Sequence, residues 1–221
     1  MSKITINKDP REEKRIISEG IREKLKSLNI FAVNLISSPG SGKTTILEKA
    51  LPVLSQDLRL SVIEADNATR NDADRLEAVG ATVEMIANAI TGCHISVAAA
   101  KNAFDALDLE NLDLVVIENV GNLVCPSGAD LGEDHKIVMV SVTEGEDKPL
   151  KYPQIFQNSS LALINKIDAA EVLGADVDLL EKNIRATNPG IDIIRVSART
   201  GENLELFTEW IKTRVAAKQS R

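Results

Sequence analysis

Cysteine, histidine and aromatic side chains are scarce in this chain: its 221 residues include two Cys, two His, one Trp, one Tyr and four Phe. The two cysteines, Cys93 and Cys125, are too few for a disulfide framework, and a reducing compartment keeps them as thiols. So few rings leave little for stacking bases, and the core has to be built from Ile, Val, Leu and Ala. Basic charge is short as well. Against 26 Lys plus Arg stand 33 Asp plus Glu, a net charge of −7, the wrong sign for a general electrostatic grip on nucleic acid. No apolar run approaches the roughly 18 residues that a bilayer span requires, and residues 1–29 lack the apolar stretch and cleavage site of a signal peptide. A cytoplasmic protein with small-molecule or protein partners is expected, with no nucleic acid and no membrane among them.

With 43% hydrophobic and 27% charged residues the composition is that of a globular protein. At about 150 residues per domain the length favours one domain with an appendage, and no repeat, low-complexity tract or Gly/Ser-rich linker argues for a second. Asp9 and Pro10 read as an N-cap and first-turn pair that opens an amphipathic helix over Arg11–Leu28, with Ile16, Ile17, Ile21, Leu25 and Leu28 on one side. Beyond it, short apolar runs alternate with helical segments. Phe31–Ile36, Leu60–Ile63, Thr82–Ile86, Leu114–Ile117, Ile137–Val142, Ala162–Ile164 and Ile191–Val196 read as buried parallel strands. Thr44–Leu54, Asp72–Val79, Ser96–Leu107, Asp176–Thr187 and Asn203–Ala217 read as the covering helices. The pattern predicts an α/β fold: a doubly wound, mostly parallel sheet of about seven strands over residues 30–221, preceded by a helical extension over residues 1–29. Ligand is expected at the carboxyl ends of the strands.

The strand Phe31–Ile36 runs into Ser37-Ser38-Pro39-Gly40-Ser41-Gly42-Lys43-Thr44-Thr45 and then a helix, the context a phosphate-binding loop requires. Backbone N–H groups from Gly40 to Thr45 can curl around a β-phosphate, Lys43 can reach β and γ oxygens, and the Thr44 hydroxyl is placed to ligate Mg²⁺. Ser37 stands where this pattern usually has Gly. Asn165-Lys166-Ile167-Asp168 follows a strand directly and matches the guanine-specificity motif of GTPases, in which the Asp carboxylate accepts from the base N1–H and exocyclic amine. Ser197 and Ala198 after the last strand match the loop that supports the base. GTP is therefore expected rather than ATP. Glu118 ends a strand where a carboxylate can hold the Mg²⁺ shell, and Gly121 can offer its amide to a γ-phosphate. Asp66 is a second candidate for the metal shell, with 67–71 as the switch loop.

Cys93, His94 and Cys125 form a thiolate–imidazole set suited to Zn²⁺ or Ni²⁺ with a position left open. Their spacing is not that of a zinc finger, and on spacing alone two small buried thiols are the favoured reading. His135 is expected as an exposed loop residue, with a group near the metal as the alternative. Lys148 and Lys151 are either solvated surface lysines or contacts to nucleotide or to a neighbouring subunit.

Together these segments resemble the nickel-insertion GTPases of hydrogenase maturation, the HypB family, relatives of the urease accessory GTPase. The resemblance covers almost the whole chain. Beyond the phosphate loop it rests on Asp66-x-x-Thr69-x-x-Asp72-Ala73-x-Arg75, Gly92-Cys93-His94, the run from Glu118 to Pro126, Asp130-Leu131-Gly132-Glu133 and the run from Ser141 to Pro153. It implies a GTP-dependent homodimer that binds Ni²⁺ or Zn²⁺ at the subunit interface through Cys93, His94 and Cys125. It also implies a HypA-like metallochaperone as partner and the hydrogenase large subunit as recipient. Three segments depart from the family pattern. Ala89, Ile90 and Thr91 replace Thr-Gly-Lys before the Gly-Cys-His, Ser96 stands where a carboxylate is usual, and Ala65 replaces the Gly before Asp66. The Cys-rich and His-rich N-terminal segments of some relatives have no counterpart, so nickel storage is not expected. Alternatives are a GTPase chaperone for urease or a cobalamin enzyme, a nucleotide-sensing binding module, and a phosphate-loop small-molecule kinase, against which Asp168 argues.

Overall fold

The computed structural model of the chain describes residues 9–65, 70–86 and 92–220. Seven strands, β1 (Phe31–Ser37), β2 (Leu60–Glu64), β3 (Thr82–Met85), β4 (Leu114–Glu118), β5 (His135–Ser141), β6 (Leu161–Asn165) and β7 (Asp192–Arg195), form one sheet in the order β3-β2-β4-β1-β5-β6-β7. Every pairing is parallel. The doubly wound sheet anticipated from the alternation of apolar runs is present. Strand ends move by a residue or two because pairing, not hydrophobicity, sets them. β5, for example, begins at His135, two residues before the apolar run, because His135 pairs with Val33.

Alternate side chains of the central strand face opposite layers. Phe31, Val33 and Leu35 pack with α2 (Lys43–Leu54), α3 (Asn71–Ala78) and α9 (Leu204–Gln219). Ala32 packs on the other face with α1 (Pro10–Ser27) and α4 (Val97–Ala106), where Ile21, Leu25, Ala103 and Phe104 are buried. Ile36 continues that face toward α6 (Pro153–Gln157) and α8 (Val177–Thr187). The Asp9 side chain caps α1 by accepting from the Arg11 amide, with Pro10 in the first turn as expected. Ile16 departs from the predicted apolar side and is exposed. Three short helices go beyond those expected from periodicity: α5 (Lys148–Lys151) and α6, which open with proline at N1 or N2, and the four-residue α7 (Ala170–Leu173), each too short to show a helical repeat. Among the described residues no helix is long and apolar enough to cross a membrane.

Candidate functional site

All strands point the same way, so the loops after β1, β4, β6 and β7 gather at one edge of the sheet. Gly40 and Gly42 adopt φ of +72° and +101°, which lets the backbone after β1 wrap around an enclosed space. At Gly42 a side chain is excluded twice over, since a Cβ would lie 2.7 Å from Asn165 Nδ2. Asn165 ties three segments together: Nδ2 donates to Ser41 O at 2.8 Å and Oδ1 accepts from the Ala198 amide at 2.9 Å. Lys166 Nζ reaches Gly40 O at 2.7 Å. The motif after β6 thus braces the phosphate loop from outside. Asp168 accepts from Ser197 Oγ at 2.5 Å and Arg199 Nε at 2.8 Å. The Ser197 hydrogen bond is the main cause holding its carboxyl below the ordinary range.

Lys43 bends back over the loop to Ser37 Oγ at 3.1 Å, so the Ser that replaces the usual Gly supplies an acceptor for the lysine. Burial lowers the Lys43 pKa, opposed by Glu118, Asp72 and nearby carboxylates. Thr44 Oγ1 donates to Glu118 Oε1 at 2.7 Å, while Glu118 Oε2 is buried and has no hydrogen-bond partner among the described residues. The burial pushes Glu118 up to about 7, against the lowering pull of Thr44 and Lys43. Gly121 lies against the phosphate loop so closely that a Cβ there would sit 2.9 Å from Pro39 Cα. Arg75 ties α3 to α2 through Glu48 and Thr45. Asp66 and residues 67–69 of the expected switch loop lie outside the described residues, as do 89–91 before the Gly-Cys-His.

The structure brings Cys93, His94 and Cys125 together, with their ligand atoms all within 4.8 Å of one another. Cys93 Sγ is 3.4 Å from His94 Nδ1. Neither thiol is a core residue: Cys125 is exposed and Cys93 half-buried, which removes the bland alternative of two buried thiols. The neighbouring Cys125 thiol is the first cause raising the Cys93 pKa, and burial lowers that of His94 with help from Lys14. Ser96, where a carboxylate is usual, caps α4 by accepting from the Ala99 amide at 3.1 Å. A cavity of about 420 Å³ is lined by Lys43, Asp72, Glu118 and Gly121 and also by Cys93, whereas His94 and Cys125 line a second cavity of about 640 Å³, so Cys93 is the member of the set that reaches the phosphate-loop space. Asn122 bridges the two residue sets further, donating from Nδ2 to Cys93 O at 3.0 Å.

His135 corrects the expectation of an exposed loop residue. It opens β5 at the opposite end of the sheet from these loops, half-buried beside the Phe31 and Trp210 rings, with Nδ1 2.6 Å from Ser160 Oγ. Lys151 is an exposed partner of Asp147, whereas Lys148 lies beside the phosphate loop, 3.7 Å from Glu144 Oε2. Glu144 was not singled out from the sequence. Its Oε1 accepts from Ser41 Oγ at 2.7 Å and from the Ser141 amide at 2.9 Å. The Ser-x-x-Glu spacing of Ser141 and Glu144, a capping box, was the available signal.

A strand entering a glycine-rich loop, a lysine folded over it and a carboxylate opposite the first helical threonine define a phosphate-loop nucleotide-binding protein. Comparison with known proteins agrees. Residues 31–195 match the family model for the CobW/HypB/UreG nucleotide-binding domain. The hydrogenase maturation factor HypB of Azotobacter chroococcum mcd 1 is 45% identical over 197 residues, 89% of this chain and 64% of that protein. The probable hydrogenase maturation factor HypB of Methanocaldococcus jannaschii is 34% identical, over 96% of each chain. A crystal structure of HypB from Helicobacter pylori in complex with nickel superposes with a TM-score of 0.85 at 35% identity, covering 93% of this chain and 96% of that one. The chain belongs to the CobW/HypB/UreG family and, within it, to the HypB hydrogenase maturation factors. It spans just under two thirds of the length of the Azotobacter relative.

Proposed function

We propose that the chain is a Mg²⁺-dependent GTPase of low turnover that acts in the cytoplasm as a homodimer. Its nucleotide state governs the holding and release of Ni²⁺ or Zn²⁺ during maturation of a [NiFe]-hydrogenase. Residues 30–221 serve as the GTPase domain and 1–29 as its helical extension. The partners are a HypA-like nickel metallochaperone and the hydrogenase large subunit. The observation that carries this reading is the shared cavity, in which Lys43, Glu118 and Gly121 face the same space as Cys93.

In this reading the amides of Gly40 to Thr45 cradle the phosphates, Lys43 neutralises charge on the β and γ oxygens, and the Gly121 amide meets the γ-phosphate. Asp168 accepts from guanine, with Ser197 and Ala198 supporting the base and Asn165 and Lys166 holding the loop. Thr44 and Glu118 fit a Mg²⁺ ion: both offer hard oxygen donors, and one Glu118 oxygen is buried without a hydrogen-bond partner among the described residues. Asp66 is the further oxygen donor. When bound there, Mg²⁺ supplies the charge that offsets the developing negative charge of the transferring phosphate. Cys93, His94 and Cys125 hold the cargo ion with an open position for exchange. That the Helicobacter relative was crystallised with nickel supports nickel as that cargo.

The test is a titration of Ni²⁺ and of Zn²⁺ into the GDP form and the form loaded with a non-hydrolysable GTP analogue, with Cys93→Ala and Cys125→Ala as controls. Affinity should differ between the two forms and collapse in the controls; equal affinity in both forms refutes nucleotide-governed release. Hydrolysis of ATP at the rate of GTP would favour the kinase alternative.

A further inference from the structure

The connection from β4 to β5 passes over β1, which lies between those strands in the sheet. It leaves the carboxyl end of β4 and enters the amino end of β5, and side chains at both of its ends reach the middle of β1. Asn34, Asn119 and Glu133 stand there and are 0%, 1% and 7% exposed. Asn119 Nδ2 donates to Asn34 Oδ1 at 3.1 Å, and Asn34 Nδ2 donates to Glu133 Oε1 at 3.1 Å. Glu133 Oε2 accepts from the Leu131 amide at 2.7 Å, and Asn119 Oδ1 accepts from the Val120 amide at 2.9 Å. Lys136 Nζ lies 3.4 Å from Glu133 Oε1. An asparagine inside the apolar run of β1 is unfavourable unless its amide is satisfied, and here both of its polar atoms are used to join the loop ends. Separating those ends would leave both polar atoms of the Asn34 side chain unpaired in the core and cost Asn119 and Glu133 one buried hydrogen bond each.

The segment 119–133 is thereby tied at both ends to one residue of β1. It carries three contacts of different kinds. Near its start Gly121 lies against Pro39 of the phosphate loop, and Asn122 holds Cys93 O. Its middle presents Cys125 beside Cys93 and His94. Near its end Asp130 pairs with Arg22 of α1 at 2.5 Å, and Gly132, at φ +86°, presses against α1 so that a Cβ would lie 2.7 Å from Ile21.

We propose that Asn34 and Glu133 are positioning residues that clamp this loop into one rigid unit. A displacement imposed on Gly121 by the nucleotide is then delivered to Cys125 and to α1 instead of being absorbed by local bending. A packed, hydrogen-bonded unit with few alternative arrangements transmits movement in this way, whereas an open loop dissipates it. The inference rests on the reading above that nucleotide state alters the metal site, and it assigns that coupling to residues that touch neither nucleotide nor ion.

The test uses the full chain. Zn²⁺ affinity is measured by competition with a chromophoric chelator in the GDP and GTP-analogue forms of wild type, Asn34→Leu and Glu133→Gln. The ratio of the two affinities in wild type is expected to be on the order of 5–150-fold, the usual span of site-to-site coupling. In Asn34→Leu it should fall toward one with nucleotide affinity retained, and Glu133→Gln, which turns a donor NH2 toward either Asn34 Nδ2 or the Leu131 amide, should lower it as well. A full wild-type ratio in Asn34→Leu overturns the clamp. Amide hydrogen exchange on wild type decides the matter if that variant does not fold, or if the wild-type ratio is itself one, which would overturn the functional reading instead. Exchanging GDP for the analogue should change protection at Leu131 and Gly132 together with Val120 and Gly121. A response confined to Val120 and Gly121 overturns the clamp.

Discussion

Thr44 Oγ1 and Glu118 Oε1 are joined by a 2.7 Å hydrogen bond that ties the first turn of α2 to the carboxyl end of β4. The pair depends on strand pairing, since Glu118 stands opposite Leu35 in β1, the strand that feeds the phosphate loop.

The first prediction concerns pH. An unfolded chain releases the Glu118 proton near 4.5, whereas burial raises it to about 7 in the folded protein without nucleotide. Between those values the folded state binds the extra proton, so stability is lost as pH rises through the window and is fully present below it. The loss from this one group approaches ~3 kcal/mol by pH 7.5. Urea unfolding of wild type and Glu118→Gln at pH 5 and 7.5 checks this: the wild type should lose more stability than the variant across the interval. Parallel pH profiles would contradict the assignment.

Asp168 is held by Ser197 and Arg199 with its carboxylate charged, so Asp168→Asn removes a charged acceptor without changing shape. Charge-assisted hydrogen bonds contribute about 1.5–3 kcal/mol each, which places the loss of GTP affinity on the order of 10- to 100-fold. Xanthosine triphosphate, with a carbonyl where guanine has an amine, should recover part of that loss because the new amide can donate to it. Competition binding against a fluorescent guanine nucleotide gives both numbers. A variant that still prefers GTP as wild type does would place the base elsewhere.

Cys125→Ala removes one of three ligand atoms gathered within 4.8 Å. Metal affinity should fall by more than about 100-fold, beyond what loss of a supporting residue produces. Nucleotide affinity should be unaffected, because Cys125 is not among the residues around the phosphate loop. Chelator competition and nucleotide titration on the same preparation separate the two effects.

Gly132→Ala would place a methyl group 2.7 Å from two Ile21 carbons and 2.9 Å from Ser18 O, at a φ of +86°. Strain and overpacking together should destabilise the chain by about 3 kcal/mol. Gly174→Ala, at φ +63° with nothing within 4 Å of the added carbon, isolates the strain, which is about 1–2 kcal/mol. Denaturant midpoints for both variants should therefore differ, and equal losses would show that contact with α1 contributes little.

Much of the nucleotide site was legible because its parts are local. A strand, two glycines able to adopt positive φ, a lysine and a threonine must be consecutive for the loop to form. Asn165 to Asp168 likewise sit within a few residues of a strand end. His135 was misplaced because hydrophobicity begins at Ile137, while pairing to Val33 extends β5 back to His135 and lays its ring against Phe31 and Trp210. Asn34 was passed over as one residue in an apolar strand. A polar side chain in a run buried on both faces was the signal, since such a group needs partners that only other elements can supply.

The chain's order of residues was enough to specify a parallel α/β sheet, a phosphate loop after its first strand and a guanine-type motif after its sixth. Each of these follows from side-chain period, glycine conformation and hydrogen-bonding groups only a few residues apart. That Cys125 meets Cys93 and His94, that Glu118 meets Thr44, and that Asn34 joins Asn119 to Glu133 were decided by tertiary structure. The last depends on β1 lying between β4 and β5 and the second on β4 pairing with β1, an order that no local run of residues sets.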